Sequence, residues 1–152
     1  MKKCLYVLML IPLMMVTSCR DNANTNTNMD VATKDALIDQ EIEASNAQLP
    51  MQVDYATTLL AMSRDDSIVT YQYELDENEV EFEDIFANQV SFRADLKEKL
   101  TAGSETDLEL NAFLTLLSET GKVLRYSYTG NLSGQVVSLE FSNDEIKEMI
   151  QN

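Results

Sequence analysis

Residues 122–141 read KVLRYSYTGNLSGQVVSLEF. Two runs of alternating apolar and polar residues, 122–129 and 135–141, flank the turn Gly130-Asn131-Leu132-Ser133-Gly134. A period of two is the signature of a half-buried strand, and the glycine-bounded turn makes the pair a hairpin. Leu124, Tyr126 and Tyr128 then share one face with Val137, Leu139 and Phe141. The same pattern recurs upstream over 68–75, where Val69, Tyr71, Tyr73 and Leu75 alternate with Ile68, Thr70, Gln72 and Glu74. Its expected partner is a strand over 52–62, across the polar turn Ser63-Arg64-Asp65-Asp66-Ser67. The Tyr-x-Tyr of each hairpin forms a faint internal repeat.

Helical periodicity fills the space between the hairpins. Over 79–102, Phe82, Ile85, Phe86, Val90, Phe92, Leu96 and Leu100 fall within about 160° of one helix face. Acids crowd the first turns and Lys97 and Lys99 the last, as the helix dipole favours, and Gly103 reads as the stop. A second helix is expected over 105–120, with Ser104-x-x-Asp107 as a capping box, Leu110, Phe113, Leu114 and Leu117 as its stripe, and Gly121 past its end. Ser142-x-x-Glu145 caps a terminal helix carrying Ile146, Met149 and Ile150. A short first helix over 34–48, with Leu37, Ile38 and Ile42, ends before Pro50. The expected fold class is α+β: a four-stranded, mainly antiparallel sheet from two hairpins (ββ-αα-ββ-α), with helices packed on one face. One small domain over 34–152 accommodates it, since about 120 residues suffice for a single core.

Ahead of that domain lies a different chemistry. Lys2 and Lys3 precede an apolar run from Cys4 to Val16, broken by Pro12 and closed by Thr17, Ser18 and Cys19. The run is shorter than the ~20 apolar residues of a spanning helix and reads as a signal peptide over 1–18. Val16-Thr17-Ser18-Cys19 resembles the lipobox of bacterial lipoproteins. That resemblance implies cleavage between Ser18 and Cys19, a diacylglycerol thioether on Cys19, and acylation of the new amino group, palmitate included. Each buried CH₂ is worth about 0.8 kcal/mol, so two or three chains anchor firmly. Arg20 after the cysteine favours the outer membrane, by analogy with lipoprotein sorting. The side the domain faces, periplasm or cell surface, stays open. Residues 19–33, rich in Asn and Thr, are expected to be a flexible tether with a span of roughly 20 Å.

The full chain has 11 basic and 26 acidic residues and no histidine. Losing residues 1–18 removes two lysines and no acid, which leaves 9 basic against 26 acidic, a net charge of −17. Such a surface repels phosphate backbones, so nucleic acid is not an expected partner. Of the two cysteines, Cys4 leaves with the leader and Cys19 carries lipid. No thiol then remains for a disulfide, a thiolate metal site or a nucleophile. Without histidine, Ser-His-Asp catalysis and histidine-containing zinc sites are excluded.

Over roughly residues 46–142, the segment Asn46-Ala47-Gln48-Leu49-Pro50, then Asp54, Thr57, Tyr71-x-Tyr73, Leu114 to Gly121 and Tyr126-x-Tyr128, resembles a group of small exported bacterial proteins. Members of that group often carry a cysteine pair, which this chain lacks. The group has no established activity, so the resemblance implies no site residue.

Several residues stand out chemically. Arg93 and Gln89 fall near the centre of the apolar stripe of the 79–102 helix, where a guanidinium needs a partner. Such an arginine either holds a ligand carboxylate or pairs internally. The acids from Glu74 to Asp84 offer weak calcium candidates in Asp76, Asn78 and Glu79, but no glycine forms the tight loop of an EF-hand. Tyr71, Tyr73, Tyr126 and Tyr128 form an aromatic binding surface if their face is open, but their alternation with polar residues places them in the core beneath the helices, with hydroxyls at its rim. Ser133 and Lys122 lack the Ser-x-x-Lys motif of a hydrolase. Asp66-Ser67-Ile68 resembles an O-glycosylation acceptor of some Bacteroidota, and the tether could also carry glycans.

These features favour a lipid-anchored envelope protein that needs no cofactor and binds another protein as an accessory. By address and size alone, pilot-type lipoproteins of secretion machines offer an analogy. One alternative is a carboxylate-dependent enzyme acting on glycans, which requires an acid with a raised pKa. Another is a calcium-dependent adhesion module.

Overall fold

The computed structural model describes residues 29–151. The signal peptide, Ser18, Cys19 and most of the tether lie outside them. Helix α1 (Val31–Asn46) starts three residues before the expected helix over 34–48, because the Asp30 carboxylate caps it by accepting from the Thr33 amide. Strands β1 (Met51–Gln52), β2 (Thr57–Arg64) and β3 (Ile68–Leu75) follow. Helices α2 (Phe82–Ala87), α3 (Gln89–Thr106) and α4 (Leu108–Glu119) lead to β4 (Val123–Gly130), β5 (Val136–Phe141) and α5 (Asn143–Ile150).

The class is α+β, as expected, but the sheet is five-stranded and mixed rather than four-stranded. A local turn and a helical crossover produce the difference. The single strand expected over 52–62 is two strands, because Asp54 folds the chain back: its carboxylate accepts from the Ala56 amide, and Val53 donates to the Thr57 carbonyl. The sheet therefore runs β1-β2-β3-β4-β5, with β3 and β4 parallel and every other pair antiparallel. Three helices separate β3 from β4, and they return the chain to the end where β3 began. The two Tyr-x-Tyr segments consequently align in register, Tyr71 beside Tyr126 and Tyr73 beside Tyr128.

Their rings form a stacked ladder beneath the helices. Centroids are 5.2 Å apart for Tyr71 and Tyr126 and 5.0 Å for Tyr73 and Tyr128, and Phe92 meets Tyr128 edge-on at 5.3 Å. Burial pushes all four phenols well above their ordinary pKa. The core extends through Leu59, Leu114, Leu117, Leu139 and Ile146.

The expected helix over 79–102 breaks at Asn88, whose side-chain amide donates to the Asp84 carbonyl. The break rotates the apolar stripe. Ile85, Leu96 and Leu100 stay buried, whereas Phe86 and Val90 are 61% and 85% exposed. Gly103 does not stop α3, which continues to Thr106. A Cβ at Gly103 would stand 2.9 Å from Leu110 Cδ2, so the glycine lets α3 and α4 pack closely. The Asp107 carboxylate caps α4 by accepting from the Glu109 and Leu110 amides. Ser104 instead donates its hydroxyl to the Met149 carbonyl, so it is no capping-box residue for α4. Gly121, at φ 71°, ends α4 as expected, with the Lys122 amide donating to the Leu117 carbonyl. At α5 the capping box of Ser142 and Glu145 forms.

The stretch of β2 that the two-residue β1 leaves uncovered, and the outer edge of β5, are both capped by side chains. The Asn46 side chain donates to the Met62 carbonyl and accepts from the Met62 amide, each at 2.8 Å, so one amide group pairs the backbone like a neighbouring strand. That contact lies just past the bulge at Leu60, where the register of β2 shifts. At the far edge, α3 reaches over β5.

Candidate functional site

That reach is made by Gln89 and Arg93. Gln89 Nε2 donates to the Ser138 carbonyl at 3.2 Å, and Arg93 Nε and Nη2 donate to the Glu140 carbonyl at 3.0 and 2.7 Å. Arg93 Nη2 also donates to both oxygens of Glu145, at 2.7 and 2.8 Å, and the guanidinium lies 4.7 Å from the Phe141 ring centroid. Burial raises the Glu145 pKa, but hydrogen bonds from Arg93 and Ser142, with the Arg93 charge, outweigh it and hold that carboxyl below its usual range. Arg93 and Gln89 thus use their donors to cover a strand edge and fasten α5.

Asp76, Asn78 and Glu79 lie in the turn after β3. Asp76 Oδ1 accepts from the Asn78 amide, the Asn78 side chain and the Asn131 side chain. Beside it, Glu77 Oε2 accepts from the Leu132 and Ser133 amides at 2.6 and 2.7 Å. Backbone hydrogen bonds hold both carboxyls below their usual range. The two loops are clasped, and a Cβ at Gly130 would come within 2.6 Å of the Glu77 carboxyl. Among the described residues, no cluster of acids, histidines or cysteines is arranged to hold a metal ion. Among the described residues, hydrogen bonds likewise hold the carboxyls of Asp30 and Asp65 below their ordinary pKa.

Lys122 and Ser133 flank opposite ends of β4, about 26 Å apart at 3.3 Å per residue, so the structure does not bring them together. Buried Lys122 instead faces Asp35 at 3.2 Å and donates to the Asp66 carbonyl at 2.7 Å. Ser67 is exposed on the β2–β3 turn, and its amide donates to Asp65.

A further site lies on the helical side of the sheet. Between α1 and the α3–α4 corner is an apolar groove around a cavity of about 80 Å³. Tyr71, Tyr126 and Met62 form its floor, Leu100 and Phe113 its wall, and Glu41 of α1 stands at its rim. Gly103, by admitting Leu110, helps shape the wall. The opposite face of the sheet carries an open polar depression of about 440 Å³. There Arg125 is held by Glu140 at 2.7 Å and Arg64 by Asp35 and Asp39. In the sequence, Tyr71 and Tyr126 mark an aromatic surface only if their face is open, and the reading of Gly103 as a helix stop conceals the α3–α4 corner that completes the groove.

No protein-family model and no curated protein matches this chain. Among solved structures, it is similar to a secreted protein from Pseudomonas aeruginosa, with a TM-score of 0.60 and 12% identity, over 79% of this chain and 98% of that one. At that identity the likeness shows a shared fold. Two pilotins of type 2 secretion systems are similar at a TM-score of 0.49 and 12% identity. EpsS of Vibrio vulnificus matches over 76% of this chain and 93% of its own, and AspS of Vibrio cholerae over 75% and 93%. Among the described residues, no helix is long and apolar enough to cross a membrane.

Proposed function

We propose that this protein is a non-enzymatic accessory of the bacterial envelope, lipid-anchored through Cys19 at the outer membrane, that docks a segment of another protein in the α1/α3–α4 groove. The groove carries this reading. It is a concave apolar surface on a tethered domain whose notable polar side chains are spent on internal contacts. An amphipathic segment with basic flanks suits it, because α1 contributes Glu41 at the rim and the chain has a net charge of −15 before any cleavage. A second copy would bring the same charge and be repelled.

A photo-crosslinking amino acid at Ser45, on the groove, and at Ser127, on the open face, tests this in intact cells. The reading requires a discrete adduct from position 45, lost when Leu100→Trp fills the groove, and none from position 127. Adducts only at 127, or at neither position, refute it. Intact-mass measurement of native protein tests the anchor separately: a diacylated or triacylated Cys19 terminus is expected, and a bare terminus overturns it.

A further inference from the structure

The floor of the groove is not wholly apolar. The rings of Tyr71 and Tyr126 are buried, with 4% and 2% of their surface exposed, yet both line the cavity. Among the described residues neither hydroxyl has a hydrogen-bond partner, a condition the buried Tyr73 and Thr57 hydroxyls share, but only Tyr71 and Tyr126 line the cavity, where an incoming group can meet them. Glu41 stands over the same place and makes no ion pair among the described residues, and its charge adds to burial in raising the Tyr71 pKa. Lys99, on the facing wall, is already engaged.

We infer that the docked segment inserts one long cationic side chain, lysine or arginine, between Glu41 and the hydroxyls of Tyr71 and Tyr126. This rests on the docking reading above and names the anchor it uses. A helix is about 10 Å across, far too wide for a cavity of about 80 Å³, so the segment lies over the groove and a single side chain enters. The methylene stem of lysine or arginine packs on Met62, Leu100 and Phe113 while its head group stays polar. That head group donates to the Glu41 carboxylate and to the two phenol oxygens, which are acceptors as well as donors. An aliphatic side chain would cover two hydroxyls and a carboxylate without pairing them, at a desolvation cost. An acidic one would meet Glu41 and the net charge of the whole domain.

The test is an NMR titration of the purified chain with n-butylguanidinium, an arginine side-chain mimic, against pentanamide and pentanoate of similar length. The tyrosine ring signals of Tyr71 and Tyr126 and the Glu41 amide should shift saturably with butylguanidinium alone. Glu41→Gln, which is exposed and leaves the fold intact, should weaken that binding about tenfold, and the paired Tyr71→Phe/Tyr126→Phe variant should weaken it too. Glu83→Gln, on the acidic stretch, should leave it unchanged. Equal binding of pentanamide or pentanoate, shifts confined to residues 74–84, or indifference to Glu41→Gln overturns the inference. If Ser45 crosslinks a partner while the cation is refused, docking stands and the cationic anchor falls. If the cation binds but Ser45 captures nothing, the docking reading fails.

Discussion

On the covered face of the sheet, Leu59, Tyr73, Tyr128 and Val137 form one row across four strands, all nearly inaccessible to solvent. One residue away on the same strands, Gln72, Ser127 and Ser138 form a row on the open face. Both rows follow the same two-residue alternation, and only the helices distinguish them. Stability on the covered face comes from removing apolar surface from water. The open face contributes hydrogen bonds that water could also supply. The groove lies where α1 parts from α3 and α4, so that the covered face becomes reachable at Tyr71 and Tyr126.

The largest expected contrast is between neighbours in β4. Tyr128→Ala should cost about 3–5 kcal/mol in urea unfolding, as for other large aromatic truncations in a core, whereas Ser127→Ala should stay within about 0.5 kcal/mol. Similar losses at both positions would abolish the distinction between the faces. Next comes the β2 edge. Asn46→Ala leaves the Met62 amide and carbonyl without their partner and should cost about 1–3 kcal/mol by thermal or urea denaturation, although Asn46 itself is exposed. A neutral result would mean that water replaces the amide freely.

A smaller, pH-dependent effect is expected at the β5 edge. The Glu145 pKa is depressed in the folded protein, so its stabilisation is fully present above the unfolded value of about 4.5. It is lost as pH falls through the lower folded value. The stability difference between wild type and Glu145→Gln should therefore be largest near neutrality and shrink below about pH 4.5. A difference that grows with acid would reverse the assignment. Smallest of all, Lys147→Ala, which breaks the exposed i,i+3 pair with Asp144, should change stability by about 0.2–0.5 kcal/mol.

Local signals were legible where local physics decides the outcome. The alternation of β3, β4 and β5, the stripe of α4 and the Ser142–Glu145 box all predict what forms. They failed where a distant contact overrides them. Gly103 looks like a helix stop in isolation, but Leu110 packing against it makes it an interior residue. Periodicity runs smoothly through Asn88, and the break there turns Gln89 and Arg93 toward carbonyls of β5, some fifty residues further along. Strand alternation also carries no direction. Two Tyr-x-Tyr runs read alike whether parallel or antiparallel, and the helical crossover decides between them. The groove joins residues from α1, β2, β3, α3, α4 and β4, and no spacing in the sequence announces such a convergence.

Differential labelling of single cysteines tests the use of the covered face most directly. The chain has no cysteine after Cys19, so Thr106→Cys at the groove and Gln72→Cys on the open face report separately. Maleimide modification, mapped by mass spectrometry, should be slower for Thr106→Cys in intact envelopes than in purified protein and unchanged for Gln72→Cys. Equal rates at Thr106→Cys in both settings, or protection at Gln72→Cys alone, would contradict the account.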